Sequence, residues 1–140
     1  MLLHSTLLLS TVALLISMGF LILGSVPLLI LKHDRPLDAH FIRCVFNTHY
    51  VASAGIAAIA ASSHALAGHA AMATFTLLFA SWALIGKLRI VGGMDALRRG
   101  RRTRGAMEIA RFRRLHITGI AVNAAWLACF VLLLMWVGIL

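Results

Sequence analysis

At 140 residues the chain is the size of one domain, and 61% of it is hydrophobic, against roughly 45–50% in soluble domains. That excess excludes a water-soluble globule, which needs polar residues to cover its core, and points to an integral membrane protein. The formal charge of +9 would suggest nucleic acid in a soluble chain, but here the basic residues flank apolar runs, so anionic headgroups are the expected partner and nucleic acid is not.

The chain divides around one polar stretch. Lys87 to His116 holds ten of the thirteen Lys and Arg; the rest reads as membrane. The first span is expected over about 6–31. A cleaved leader fits poorly, because no basic residue precedes the apolar run and the run is longer than a leader's core. Pro27 is expected to bend the helix near its end. A short polar loop, KHDRPLDAHFIR, follows, and Pro36 should stop any continuing helix. The second span, about 41–65, repeats small residues every four positions: Ala54, Ala58 and Ser62, and again Ser53, Ala57 and Ala61. Close backbone approach is what packs helices in lipid, so this helix is expected at the centre of a bundle.

SSHALAGH reads as a tight turn. The third span, about 70–90, ends with Lys87 and Arg89 at the interface and is broken by Gly92 and Gly93. A cytoplasmic basic loop, 91–114, carries Arg98, Arg99, Arg101, Arg102 and Arg104, then Arg111, Arg113 and Arg114. Within it AMEIARFRRL is expected as a short interfacial helix, with Met107, Ile109 or Ala110, and Phe112 toward lipid. The fourth span is about 115–137, with Trp136 as an interfacial anchor. The result is an all-α, up-down-up-down four-helix membrane bundle. All thirteen basic residues, and the acids Asp34, Asp38, Asp95 and Glu108, then fall on one side. The positive-inside rule makes that side cytoplasmic and puts both termini on the other.

Polar residues inside the spans are the candidate sites. Asn47, His49, Thr118 and Asn123, with His116 at the start of the last span, are expected to meet in one layer. They serve either as glue between helices or as a site for a small solute or proton. His49 with His116 is also the candidate pair for ligating a b-type haem. Near the uncharged end, His4, His64 and His69 form a weak metal candidate. Cys44 and Cys129 sit on different helices at different depths, so no disulfide is expected. No Ser-His-Asp set, Cys-His dyad of clear spacing, phosphate-binding glycine loop or intramembrane carboxylate pair is present, so no enzyme is expected.

RFRRLHITGIAVN (111–123) resembles the signature of the transmembrane protein 205-like family, the domain of unknown function 4149. Phe112, Leu115, His116 and Asn123 match it, and Gly119 stands where a Ser is usual. Gly24-Ser25-Val26-Pro27, Cys44-Val45-Phe46 with Tyr50, and the basic stretch Arg89–Arg98 are similar to further pieces of that family. The resemblance implies four membrane helices and no settled activity. The functional expectation is a small inner-membrane accessory or scaffolding subunit, packing against other membrane proteins or itself and needing no cofactor.

Overall fold

The computed structural model describes residues 2–30, 35–99 and 105–137, with the side chains of 36, 98 and 99 excepted. The protein is all-helical, and four helices are long and apolar enough to cross a membrane: Leu2–Ile30, Leu37–Leu66, Ala70–Leu97 and Ala106–Val137. In order they are built from α1 (Leu2–Ser25) with a 3-10 turn (Pro27–Ile30), α2 (Pro36–Leu66), α3 (Ala70–Gly86), a π segment (Lys87–Val91), α4 (Gly92–Arg99) and α5 (Ala106–Val137). The second candidate span begins earlier than the expected 41, because Pro36 opens α2 at its first turn. An N-terminal position needs no backbone N–H, so the proline starts a helix there instead of only stopping one.

Pro27 likewise starts the 3-10 turn after α1 has ended at Ser25. Between α2 and α3 the turn is shorter than expected. His69 N–H reaches the His64 carbonyl at 2.9 Å, and Gly68 takes φ +78°. That left-handed conformation favours glycine and closes the end of α2.

Two expectations fail. Gly92 and Gly93 do not break the third span; the helix runs through them, by way of the π segment, to Leu97. Glycine is a weak helix former, but burial overrides propensity here. Ile90, Val91 and Met94 are buried, and a Cβ on Gly93 would meet Leu115 Cδ1 at 3.0 Å. Nor is there a separate interfacial helix before the fourth span: α5 is one helix of 32 residues. Phe112, expected toward lipid, is fully buried, whereas Met107 is exposed. At 1.5 Å per residue α5 is about 48 Å long, more than the ~30 Å of hydrocarbon it must cross. The helix is thus longer than a span requires.

α2 packs on both α1 and α3, and α5 packs mainly on α1. Two apolar clusters fill the interior. One joins Leu21, Ile42, Phe46, Tyr50, Val91 and Phe112; the other joins Leu14, Met18, Ala57, Phe79 and Phe130. The space between α3 and α5 is bridged by rings. Phe75 stacks on Phe130 at 5.3 Å, and Trp126 meets Phe79 at 5.4 Å. Such pairs contribute about 0.5–1.5 kcal/mol each beyond their buried area.

α2 also drives two rings into glycine gaps. A Cβ on Gly86 would lie 2.8 Å from Cε1 of Tyr50, and one on Gly119 would overlap the Phe46 ring. Gly119 is thus the partner of an aromatic knob, and the ring occupies the place a side chain would take.

Candidate functional site

Polar contacts that join helices inside the bundle fall at two levels, both anchored on α1. At the first, Ser17 Oγ lies 2.6 Å from Ser53 Oγ of α2. Ser53 Oγ is also 3.3 Å from Nδ1 of His49, one turn away on α2. Asn123 of α5 donates from Nδ2 to the Met18 carbonyl at 2.8 Å, and both Asn123 and the Ser17 carbonyl lie beside the His49 ring. His49, Ser53 and Asn123 are buried. Nε2 of His49 and Oδ1 of Asn123 have no hydrogen-bond partner among the described residues.

The expected layer is therefore only partly assembled. His49 and Asn123 meet. Asn47 is half-buried and Thr118 is exposed. The reason is helical geometry: two residues at 3.6 per turn are about 200° apart, so Asn47 turns away from His49, and Thr118 from His116. His116 is fully buried against Phe46, ring centroids 5.5 Å apart and edge-on. It lies two turns, about 10 Å, along α5 from Asn123.

Phe46 stands edge-on against the His116 ring and fills the gap at Gly119.

At the second level Thr11 Oγ lies 3.2 Å from Nε2 of His64, a fully buried side chain, and the His64 and His69 rings are 5.8 Å apart. His4 and His69 line one cavity. The three histidines thus gather at one end, but among the described residues no three His, Cys, Asp or Glu side chains are grouped as a metal ion requires. Between the two levels stand Leu14, Ala57 and Ala60, all fully buried and apolar. Along α1 the separation is about 9 Å, and along α2 about 16 Å.

The basic end has its own polar contact. Arg43 of α2 forms a two-pronged ion pair with Asp95 of α4, both bonds 2.9 Å. Arg111, Arg113 and Arg114 are exposed on the first turns of α5. Arg101, Arg102 and Arg104 lie outside the described residues, and Arg98 and Arg99 are placed only as backbone in α4. Cys44 and Cys129 are free.

Comparison of the chain with protein-family models, curated proteins and solved structures returns no match.

The outer face of α1 and α2 carries a furrow that sequence reading did not anticipate. A cavity of about 450 Å³ lies over Leu3, Thr6, Ala58, Ile59, Ser62 and Leu66. A second, of about 270 Å³, shares Thr6 and Ile59 and continues over Leu9 and Ile56. Its hydroxyls are already engaged: Thr6 donates to the Leu2 carbonyl at 2.9 Å and Ser62 to the Ala58 carbonyl at 3.0 Å. The furrow therefore behaves as an apolar surface with a small-residue floor. The signal available in the sequence was the Ala58-to-Ser62 step; what it lacked was which face of α2 remains uncovered.

Also missed were Thr11, Ser17 and Ser53 as links between helices. The hydroxyls of the first helix at 10, 17 and 25 fall on one face at helical spacing, and that pattern marks the buried side of an otherwise uniformly apolar segment.

Proposed function

We propose that the protein is a non-enzymatic accessory or scaffolding subunit of a bacterial-type inner membrane, and that it works by packing against a transmembrane helix of another subunit or of a second copy. The observation that carries this reading is the furrow between α1 and α2. Lipid tails are as apolar as leucine, so helix association in a bilayer depends on close fit, and small residues permit it. Ala58 and Ser62 are exposed and small, and the hydroxyls beside them need no polar ligand. A ridge of another helix fits such a groove.

The bundle is proposed to run up-down-up-down with both termini on the non-cytoplasmic side. The contacts Thr11–His64 and Ser17–Ser53 support opposite directions for α1 and α2, since one partner rises in number as the other falls. The positive-inside rule supports the orientation. The exposed Arg111, Arg113 and Arg114 then sit at the headgroup level, where each basic residue gains about 1 kcal/mol from anionic lipid.

A second reading, a small-solute or proton pathway through the His49 and Asn123 level, draws on their orphaned polar atoms. The apolar layer of Leu14, Ala57 and Ala60 weighs against it within a single chain.

The test is Ala58→Leu together with Ser62→Leu, on exposed positions where the added bulk leaves the monomer's own packing untouched. In native mass spectrometry from mild detergent, the unmodified protein is expected as a dimer or with a second polypeptide in fixed ratio. The double variant is expected as the bare 15.2 kDa chain with unchanged helicity. A protein already monomeric before substitution, or association that survives both leucines, overturns the proposal.

A further inference from the structure

On the opposite side of α1 from the furrow lies a cavity of about 320 Å³, between α1 and the last turns of α5. That volume is at the small end of the range for small-molecule sites, about 300–1,000 Å³. Leu7, Leu15 and Leu134 form its apolar wall, and Thr11, His4 and His69 its polar edge. Val12, 43% exposed, stands at its mouth, so a molecule can enter sideways from lipid.

The polar edge has a defined sense. A threonine hydroxyl has one proton and two lone pairs. Thr11 Oγ is 2.8 Å from the Leu7 carbonyl oxygen and 3.2 Å from Nε2 of His64. The carbonyl only accepts, so Thr11 gives its proton to Leu7, and His64 donates from Nε2 to Thr11. What Thr11 has left for the cavity is a lone pair. Each neutral imidazole of His4 and His69 brings one N–H and one acceptor nitrogen. No Lys, Arg, Asp or Glu lines the cavity.

These groups discriminate among head groups. A carboxylate finds no permanent cation and faces the Thr11 lone pair. A carbonyl accepts from an imidazole but has nothing to donate to Thr11. A hydroxyl does both. We infer that the cavity binds a lipophile headed by a single hydroxyl, an alcohol or a phenol. The hydroxyl donates to Thr11 Oγ and accepts from an N–H of His4 or His69, while the apolar body lies against Leu7, Leu15 and Leu134.

Native mass spectrometry of the full chain in mild detergent tests this with three probes that differ only in the head: 4-nonylphenol, nonylbenzene and 4-nonylbenzoic acid. The phenol is expected to form a single adduct held about 25-fold more tightly than nonylbenzene, the factor two net hydrogen bonds of about 1 kcal/mol each supply. Thr11→Val should cut that preference to about five-fold, the bond from the imidazole remaining. Val12→Trp, at an exposed position where folding is not at stake, should block the phenol adduct. Equal retention of phenol and nonylbenzene, a preference for the acid, or phenol binding undiminished by Val12→Trp overturns the proposal. If Thr11→Val fails to fold, the probe series and Val12→Trp decide it alone.

Discussion

Gly119 is where a single methyl group should do the most damage. A Cβ there would overlap the Phe46 ring, with Cζ only 3.0 Å away, and Phe46 is fully buried, so the ring has little room to retreat. Two effects oppose each other in Gly119→Ala. Alanine favours a helix by about 0.8–1 kcal/mol over glycine in soluble hosts. Overpacking a filled interior costs about 1–3 kcal/mol. Taken alone, the expected net change runs from roughly zero to a loss of about 2 kcal/mol, which is too broad to decide anything. Gly19 provides the reference. It also lies within a helix, but nothing stands within 4 Å of its Cβ position, so Gly19→Ala reports the propensity gain by itself. The difference between the two variants cancels propensity and leaves the clash, about 1–3 kcal/mol. The assay is reversible unfolding in mixed detergent micelles followed by far-UV circular dichroism. A double cycle with Phe46→Leu should recover at least about 1 kcal/mol of the loss, since residues in contact couple by about 0.5–3 kcal/mol. Gly119→Ala as stable as Gly19→Ala would refute the knob-into-glycine argument, and with it the account of how α2 reaches α5.

The link between Ser17 and Ser53 is expected to be weak despite its 2.6 Å length: a Ser17→Ala and Ser53→Ala cycle should return a coupling near 0.6 kcal/mol, the mean for polar pairs between membrane helices. A coupling above about 2 kcal/mol would mean that this level is a specialised network. Replacing Arg98, Arg99, Arg101, Arg102 and Arg104 together by Gln should weaken the single orientation, read as a mixed signal from reporters fused at the C-terminus; an unchanged reporter pattern would show that the remaining basic residues suffice.

The number of spans was legible because four apolar stretches long enough to cross a bilayer leave little room for another arrangement. Their ends were less legible, for definite reasons. Gly92 and Gly93 read as a stop, yet Met94 and Val91 are buried and hold the helix together across them. Phe112 reads as lipid-facing when AMEIARFRRL is taken as a separate amphipathic helix. Phe112 instead packs into the same cluster as Phe46 and Met94, because α5 runs unbroken through it. The polar layer was half legible. Helical spacing alone puts Asn47 about 200° from His49, so one of the two had to face away from Asn123. Which one faced inward depended on the neighbours of α2. The furrow was least legible, since nothing local records which side of a helix its partners leave bare.

The two polar levels explain why α1, a helix with no charged residue, is nonetheless specific in its packing. Three side-chain contacts that join separate helices end on it: Thr11 with His64, Ser17 with Ser53, and Asn123 on the Met18 carbonyl. An apolar helix in lipid has little reason to prefer one neighbour or one register, because its side chains meet equally apolar surroundings on every side. Hydroxyls facing partners at two heights, with filled apolar packing between them, remove that freedom: sliding or rotating α1 would break both contacts at once. The same division limits what the interior can do. A conduit needs polar groups along its whole length, and here they are interrupted where Leu14, Ala57 and Ala60 close the space. Two concave surfaces lie on the outside of α1, the furrow it shares with α2 on one side and the histidine-edged cavity it shares with α5 on the other. A helix held in fixed register between them keeps both in constant shape.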